Sequence, residues 1–258
     1  MNALYAELSA FTGLGQEWFW TGVLVFLRVG AALALMPAFG EQSVPQRVRL
    51  ILALSFTAVV APAVADSVAS VPGSLRSAAV EVLVGLALGI GLRMFIFALQ
   101  VAAAIIANVT SLSQLFGGST PDPQPAIGNL LTVAALALAV LSGLHVKAAS
   151  LLILSYRILP AGRFPAAADL ADWGLMQVVQ CFALALALAA PFVIASVVYN
   201  VALGIINKAM PQLTVTLVGA PALTAASLAL MMLVVPLMLA VWLGRFDAFL
   251  LHPFRATP

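Results

Sequence analysis

Four ionisable side chains stand inside long apolar runs of this 258-residue chain: Arg28, Glu81, Arg93 and Lys147. An ionisable group at membrane depth costs at least about 2.5–3.5 kcal/mol on insertion scales, so it faces protein or water and pairs with another polar group. Such groups build either ion pathways or the polar ties that hold helices together. Arg28, with Val23-Leu24-Val25-Phe26-Leu27 before it and Val29-Gly30-Ala31-Ala32-Leu33 after it, is the hardest of the four to place at a water boundary. For Lys147 a position near a helix end, with the ammonium reaching out to the interface, stays open. Glu81 and Arg93 are twelve residues apart, about 18 Å along one helix, and cannot pair with each other. Their partners must lie on other helices or on other subunits. A secondary transporter would use Glu81, Arg93 and Lys147 around a midplane site, with Pro191 breaking a helix. Against that, the two halves of the chain carry no matching broken segments, and only one carboxylate lies deep in an apolar run.

Enzymatic chemistry finds no foothold. The sequence has no Gly-x-Ser-x-Gly, no paired intramembrane aspartates and no His-Glu-x-x-His, and its two histidines are more than a hundred residues apart. Gly117-Gly118-Ser119 lacks the lysine of a phosphate loop, and Asn108-Val109-Thr110 is a sequon of a kind common by chance. Cys181 is single and lies in an apolar run, which excludes a disulfide within the chain and points to a small core residue. No enzyme activity, cofactor or metal is expected.

The elements that must carry these residues follow from composition. The chain is 64% hydrophobic and 8% charged, with a mean hydropathy of +1.14, whereas about a quarter of the residues in a soluble domain are charged. This is an all-α, polytopic helical membrane protein, read as a single domain over 1–258; the long unbroken runs exclude a barrel. Eleven basic residues without a cluster argue against nucleic acid. Glu7 and Glu17 precede the first run with no basic stretch, so no cleavable signal is expected. Six apolar segments can be drawn, at about 18–39, 48–65, 78–109, 127–159, 173–207 and 212–243. The third and fifth would be about 50 Å long as helices against a hydrocarbon core of about 30 Å. They must tilt, bend or project, and Gly89-Ile90-Gly91 and Pro191 are the expected places to bend. Six spans would set Arg47, Arg49 and Lys208 against Arg76, Arg157, Arg163, Arg245 and Arg255, too even a division to orient the chain.

Segment three also carries Gly85-Leu86-Ala87-Leu88-Gly89. Helical spacing puts Gly85, Gly89, Arg93, Gln100 and Ala104 on one sector about 100° wide, a surface suited to close helix packing. The longest irregular stretch runs from Phe116 to Gly128 and holds three glycines, three prolines and Asp122. No regular helix crosses it, and long loops of this kind more often carry function than not. Leu115 and Phe116 offer apolar bulk, Gly117 and Gly118 a flexible step, and Pro121, Pro123 and Pro125 an extended backbone.

Taken in order, several motifs resemble one family. Arg28-Val29-Gly30 leads to Pro37-Ala38-Phe39-Gly40 and Val44-Pro45-Gln46-Arg47-Val48-Arg49. Glu81 with its following glycines, Leu159-Pro160-Ala161-Gly162, Asn200-Val201-Ala202-Leu203-Gly204, Pro211-Gln212-Leu213 and Gly219-Ala220-Pro221 come after. From about residue 20 to 240 the chain resembles the FliR family, the export-gate subunits of flagellar type III secretion and their injectisome counterparts. The resemblance implies a gate built with FliP-like and FliQ-like subunits, alongside FlhB- and FlhA-like export components. Unfolded proteins would pass through its centre, in the bacterial inner membrane at the flagellar basal body, with part of the assembly on the periplasmic side. It also implies that the loop at about Thr110–Ile127 is a channel plug, with Leu112, Gln114, Leu115, Phe116, Gly117, Gly118, Pro121, Asp122 and Pro123 as its residues. Here the chain departs from the family, since Gly117-Gly118-Ser119-Thr120-Pro121 separates Phe116 from Asp122-Pro123; Ser142-Gly143-Leu144-His145 departs likewise. Arg28, Arg47, Glu81, Gly85, Gly89 and Arg93, with Asn200, Lys208, Pro211 and Gln212 at the last turn, are the expected packing or subunit-contact residues. For Arg47 and Arg49, lipid anchors and partner contacts are both open.

Overall fold

A computed structural model describes residues 2–110, 125–209 and 215–254, with side chains described over 18–109, 127–206, 208–209 and 225–254. The described residues form helices and connecting turns without a strand. The helices are α1 (Asn2–Leu35), α2 (Gln46–Val68), α3 (Leu75–Thr110), α4 (Pro125–Leu141), α5 (Leu144–Ile158), α6 (Ala167–Ala209) and α7 (Val215–Leu251). Five are long and apolar enough to cross a membrane, and the bent pair α4–α5 brings that number to six. The chain is a polytopic helical membrane protein.

Segmentation differs from expectation in one place that matters. The run 127–159 is two helices meeting at 75° across Ser142-Gly143, while α3 and α6 run unbroken through Gly89–Gly91 and Pro191. The reason is local. Gly143 takes φ +84°, a left-handed conformation that ends a helix and that other residues adopt only at a cost. Gly89 and Gly91 serve close packing instead: a Cβ on Gly89 would lie 2.8 Å from the Ala32 carbonyl oxygen, and one on Gly91 2.7 Å from Phe249. Pro191 removes one donor from a helix of 43 residues without ending it. At 36 and 43 residues, α3 and α6 are about 54 and 65 Å long, well beyond the hydrocarbon core.

Helix starts follow ordinary chemistry. Ser74 precedes α3, and its Oγ accepts the Ser77 N–H at 3.2 Å while the Ser74 N–H donates to Ser77 Oγ at 3.3 Å. Two otherwise orphaned amides are satisfied reciprocally. Between α1 and α2 the chain reverses over 36–45, where Ala38 takes φ +69°. Arg49 Nε donates to the Val44 carbonyl at 3.1 Å, and its Nη2 donates to the Glu41 carbonyl. Phe39 meets Phe56 edge-on at 5.7 Å.

The chain divides into two compact units. The first holds residues up to Arg93, 140–176 and the stretch from Asp247. In it α1 packs on α2 and α2 on α5, around a core that includes Leu24, Val25, Val29, Val84, Leu88 and Leu151. The buried stripe of α2 is Ala53, Thr57, Val60, Val64 and Val68, one helical face; Leu50, Ile51, Leu54 and Val59 on its other faces are exposed. The second unit holds 94–139 and 177–246. Its core includes Ile96, Leu99, Leu131, Phe192, Trp242 and Phe246. There Trp242 stacks on Phe246 at 5.0 Å and donates its indole N–H to the Phe95 carbonyl at 2.8 Å.

Candidate functional site

The candidate site is a buried polar cluster in the first unit, and its centre is Arg28. The side chains of Arg28 and Glu81 are both fully buried, and Arg28 Nε donates to Glu81 Oε2 at 2.7 Å. Arg28 Nη1 donates to Ser155 Oγ at 3.1 Å, and both Nη1 and Nη2 donate to the Leu159 carbonyl at 3.1 Å. The other carboxylate oxygen, Glu81 Oε1, accepts the Gly162 backbone N–H at 3.1 Å. The Tyr156 ring covers the guanidinium, with the Arg28 Cζ 3.7 Å from its centroid. Ser155 is fixed in turn by donating to the Leu152 carbonyl at 2.6 Å.

Each partner is there for a local reason. Leu159 is the C-terminal cap of α5, so its carbonyl is one of those a helix end leaves unsatisfied, and a cation at that end also meets the favourable end of the helix dipole. Gly162 takes φ +68°, which turns its amide toward Glu81 after Pro160. Gly85 brings α3 against α1: a Cβ there would overlap the Arg28 carbonyl oxygen and lie 2.8 Å from the Ala31 Cβ. A guanidinium has five donors in a planar fork, which lets this one side chain serve a carboxylate, a hydroxyl and a helix-end carbonyl together. The cluster is therefore a tie between α1, α3 and the end of α5. Its bonds hold three elements in register.

Two further ion pairs lie in the same unit. Arg93 Nη1 donates to Glu41 Oε1 at 2.6 Å, linking α3 to the turn after α1. Lys147 Nζ donates to Asp247 Oδ1 at 2.7 Å and to Ser142 Oγ at 3.2 Å, linking α5 to the end of α7. Trp173 adds an indole N–H bond to the Pro253 carbonyl at 2.9 Å.

The expectation that Glu81 and Arg93 pair with other elements holds, and both partners lie within this chain. Gly85 and Gly89 do form a packing surface, against α1. It does not extend along the whole predicted sector, because Gln100 is exposed; α3 passes from one unit to the other at Arg93–Met94, and its packing changes there. Arg49 is spent on the turn before α2, while Arg47 is exposed. Lys208 is exposed, as is Asn200, whose Nδ2 meets Ser196 Oγ at 3.3 Å. Pro211, Gln212 and the plug residues Leu112, Gln114, Leu115, Phe116, Gly117, Gly118, Pro121, Asp122 and Pro123 lie outside the described residues. Ser155, Tyr156, Glu41 and Asp247 were not anticipated. Asp247 sits beyond the predicted end of the last segment, and Ser155 and Tyr156 carry no signal except a spacing from Leu159 that only a helix makes meaningful.

Residues 19–249 match the family described as Bacterial export proteins, family 1. The chain is 34% identical over 233 residues to the flagellar biosynthetic protein FliR of Caulobacter vibrioides, covering 88% of this chain and 93% of that protein. The chain belongs to the FliR family. It is also 30% identical to flagellar biosynthetic protein FliR of Escherichia coli K12 over 219 residues, 82% of each chain. With the Bacillus subtilis protein of the same name it shares 30% identity over 217 residues, 80% of this chain and 82% of that one. In this FliR-family member, three of the motifs that carry the resemblance, at Arg28, at Glu81 and at Leu159–Gly162, are far apart in sequence and meet in the one buried cluster.

Proposed function

We propose that this chain is the FliR-type subunit of a flagellar type III export gate in the bacterial inner membrane. In this reading it is not an enzyme. It assembles with FliP-like and FliQ-like subunits, meets FlhB- and FlhA-like export components, and helps enclose the path taken by unfolded proteins. The observation that carries the reading is the similarity to flagellar FliR proteins over 88% of the chain. The same likeness favours a flagellar system over an injectisome. A transporter would need ionisable groups free to face a solute, whereas Arg28, Arg93 and Lys147 each bond a carboxylate of the same chain.

The loop at about Thr110–Ile127 is the plug in this reading. Leu115 and Phe116 seal, Gly117 and Gly118 flex, and Pro121 and Pro123 keep the strand extended; Pro125, expected to continue that strand, instead opens α4. Two measurements test the proposal. Loss of the gene should abolish flagellar secretion, and the chain should copurify in substoichiometric amount with two other hydrophobic subunits. Solute uptake by the purified chain alone would instead establish a transporter. Deleting Ser119–Pro125 should raise ion leakage or change secretion while the gate still assembles. A variant that assembles, secretes and holds the membrane potential like the parent removes the plug from the account.

A further inference from the structure

The Arg28–Glu81 cluster contains one polar group that its bonds leave unused. Tyr156 is 3% exposed, and its hydroxyl is buried with no hydrogen-bond partner among the described residues. We propose that this hydroxyl is a reserve donor for Glu81. When Arg28 parts from the carboxylate, Tyr156 closes on it, so α1 is released while α3 stays joined to the end of α5. The inference rests on the geometry of the cluster and is independent of the gate reading.

The donor is in place and held back. Its ring lies on the guanidinium, with the Arg28 Cζ 3.7 Å from the centroid, and this cation–π contact fixes the ring. Glu81 is the carboxylate that bears on the Tyr156 hydroxyl, yet the two form no hydrogen bond within normal limits. A buried hydroxyl without a partner is unfavourable, so the ring turns toward an acceptor once the guanidinium no longer sits beneath it. The acceptor has room. Oε2 takes the Arg28 Nε–H and Oε1 the Gly162 N–H, while a carboxylate offers about four lone-pair sites. Ser155, the other hydroxyl of the cluster, already spends its proton on the Leu152 carbonyl. The exchange spares Glu81 the full cost of a bare buried carboxylate. A tyrosine O–H gives it a charge-assisted bond but no counter-charge, so the arrangement with Arg28 bound stays the more stable one.

The test uses the full chain with the subunits that copurify, in one nonionic detergent, and compares thermal unfolding of the parent, Tyr156→Phe, Arg28→Met and the double variant. In the parent, Tyr156→Phe removes an idle hydroxyl and should lower the transition by less than about 2 °C. Added to Arg28→Met, it removes the working donor and should lower the transition by a further ~3–10 °C. Equal shifts in the two backgrounds, or the larger shift in the parent, overturn the proposal. A second measurement does not depend on Arg28→Met folding. The Raman Fermi doublet of tyrosine reports whether the hydroxyl donates, and because the chain has two other tyrosines, Tyr156→Phe supplies the difference spectrum. Tyr156 should show no donation in the parent and strong donation in Arg28→Lys, whose ammonium does not hold the ring and the carboxylate in the same way. Strong donation already present in the folded parent overturns the proposal whatever the variants do, and so does an unchanged doublet in Arg28→Lys.

Discussion

At the scale of single residues, Arg28 decides more than any other side chain described. Its four hydrogen bonds reach a carboxylate, a hydroxyl and a helix-end carbonyl, so removing it leaves Glu81 as an uncompensated buried charge. Arg28→Met is expected to cost about 3–5 kcal/mol, read as a lowered thermal transition of the detergent-solubilised protein. Arg28→Met combined with Glu81→Met should recover much of that loss, because an apolar pair leaves no charge unpaired. If the double variant is as unstable as the sum of the two single ones, the pair is not acting as a unit. Arg28→Lys should not rescue, since an ammonium cannot offer the planar fork. That Arg28 and Glu81 needed partners was legible in the sequence, because a charge in an apolar run has few alternatives. That they were each other's partners was not. The 53 residues between them carry no periodic relation, and only the packing of α1 on α3 brings them together.

At the scale of elements, the glycines divide into those that permit contact and those that do not. Gly85 and Gly30 make the comparison. Gly85→Ala places a methyl group into the Arg28 backbone carbonyl, forcing α1 away from α3 and straining the cluster; a loss of about 1–3 kcal/mol is expected. Gly30→Ala meets open space and should gain up to about 1 kcal/mol through helix propensity. Parallel thermal unfolding of the two variants checks this, and an equal effect of the same sign would mean that α1 and α3 do not pack this closely. The small-residue surface of α3 was readable from its spacing, whereas the break in 127–159 was not anticipated. Proline announces a bend in any sequence, but in α6 the helix tolerates Pro191. A glycine announces nothing until its φ is known, and Gly143 at +84° is where the chain turns. The plug loop was the most conspicuous stretch in the sequence, and nearly all of it falls in 110–126, where side chains lie outside the description.

For the molecule as a whole, the three basic residues that stand inside apolar runs find their explanation in pairing. Arg28, Arg93 and Lys147 are not flanking anchors but ties, and the carboxylates Glu81, Glu41 and Asp247 answer them. Lys147 and Asp247 join positions a hundred residues apart, yet their side chains are 28% and 30% exposed, so solvent weakens the pair. Lys147→Ala should therefore cost no more than about 1 kcal/mol, far less than Arg28→Met. Exchanging the two, Lys147→Asp with Asp247→Lys, should restore most of what either single change loses; failure to do so would assign the cost to packing and not to charge. The buried cluster also has a consequence in time. Arg28 is synthesised 53 residues ahead of Glu81 and 131 ahead of Leu159. At ~5–20 residues per second, its first partner arrives roughly 3–11 s later and its last roughly 7–26 s later. During that interval the nascent chain carries a lone cation in a segment destined for a buried site. The first helix cannot settle by itself, and the order of birth of the helices is not the order in which they come to rest.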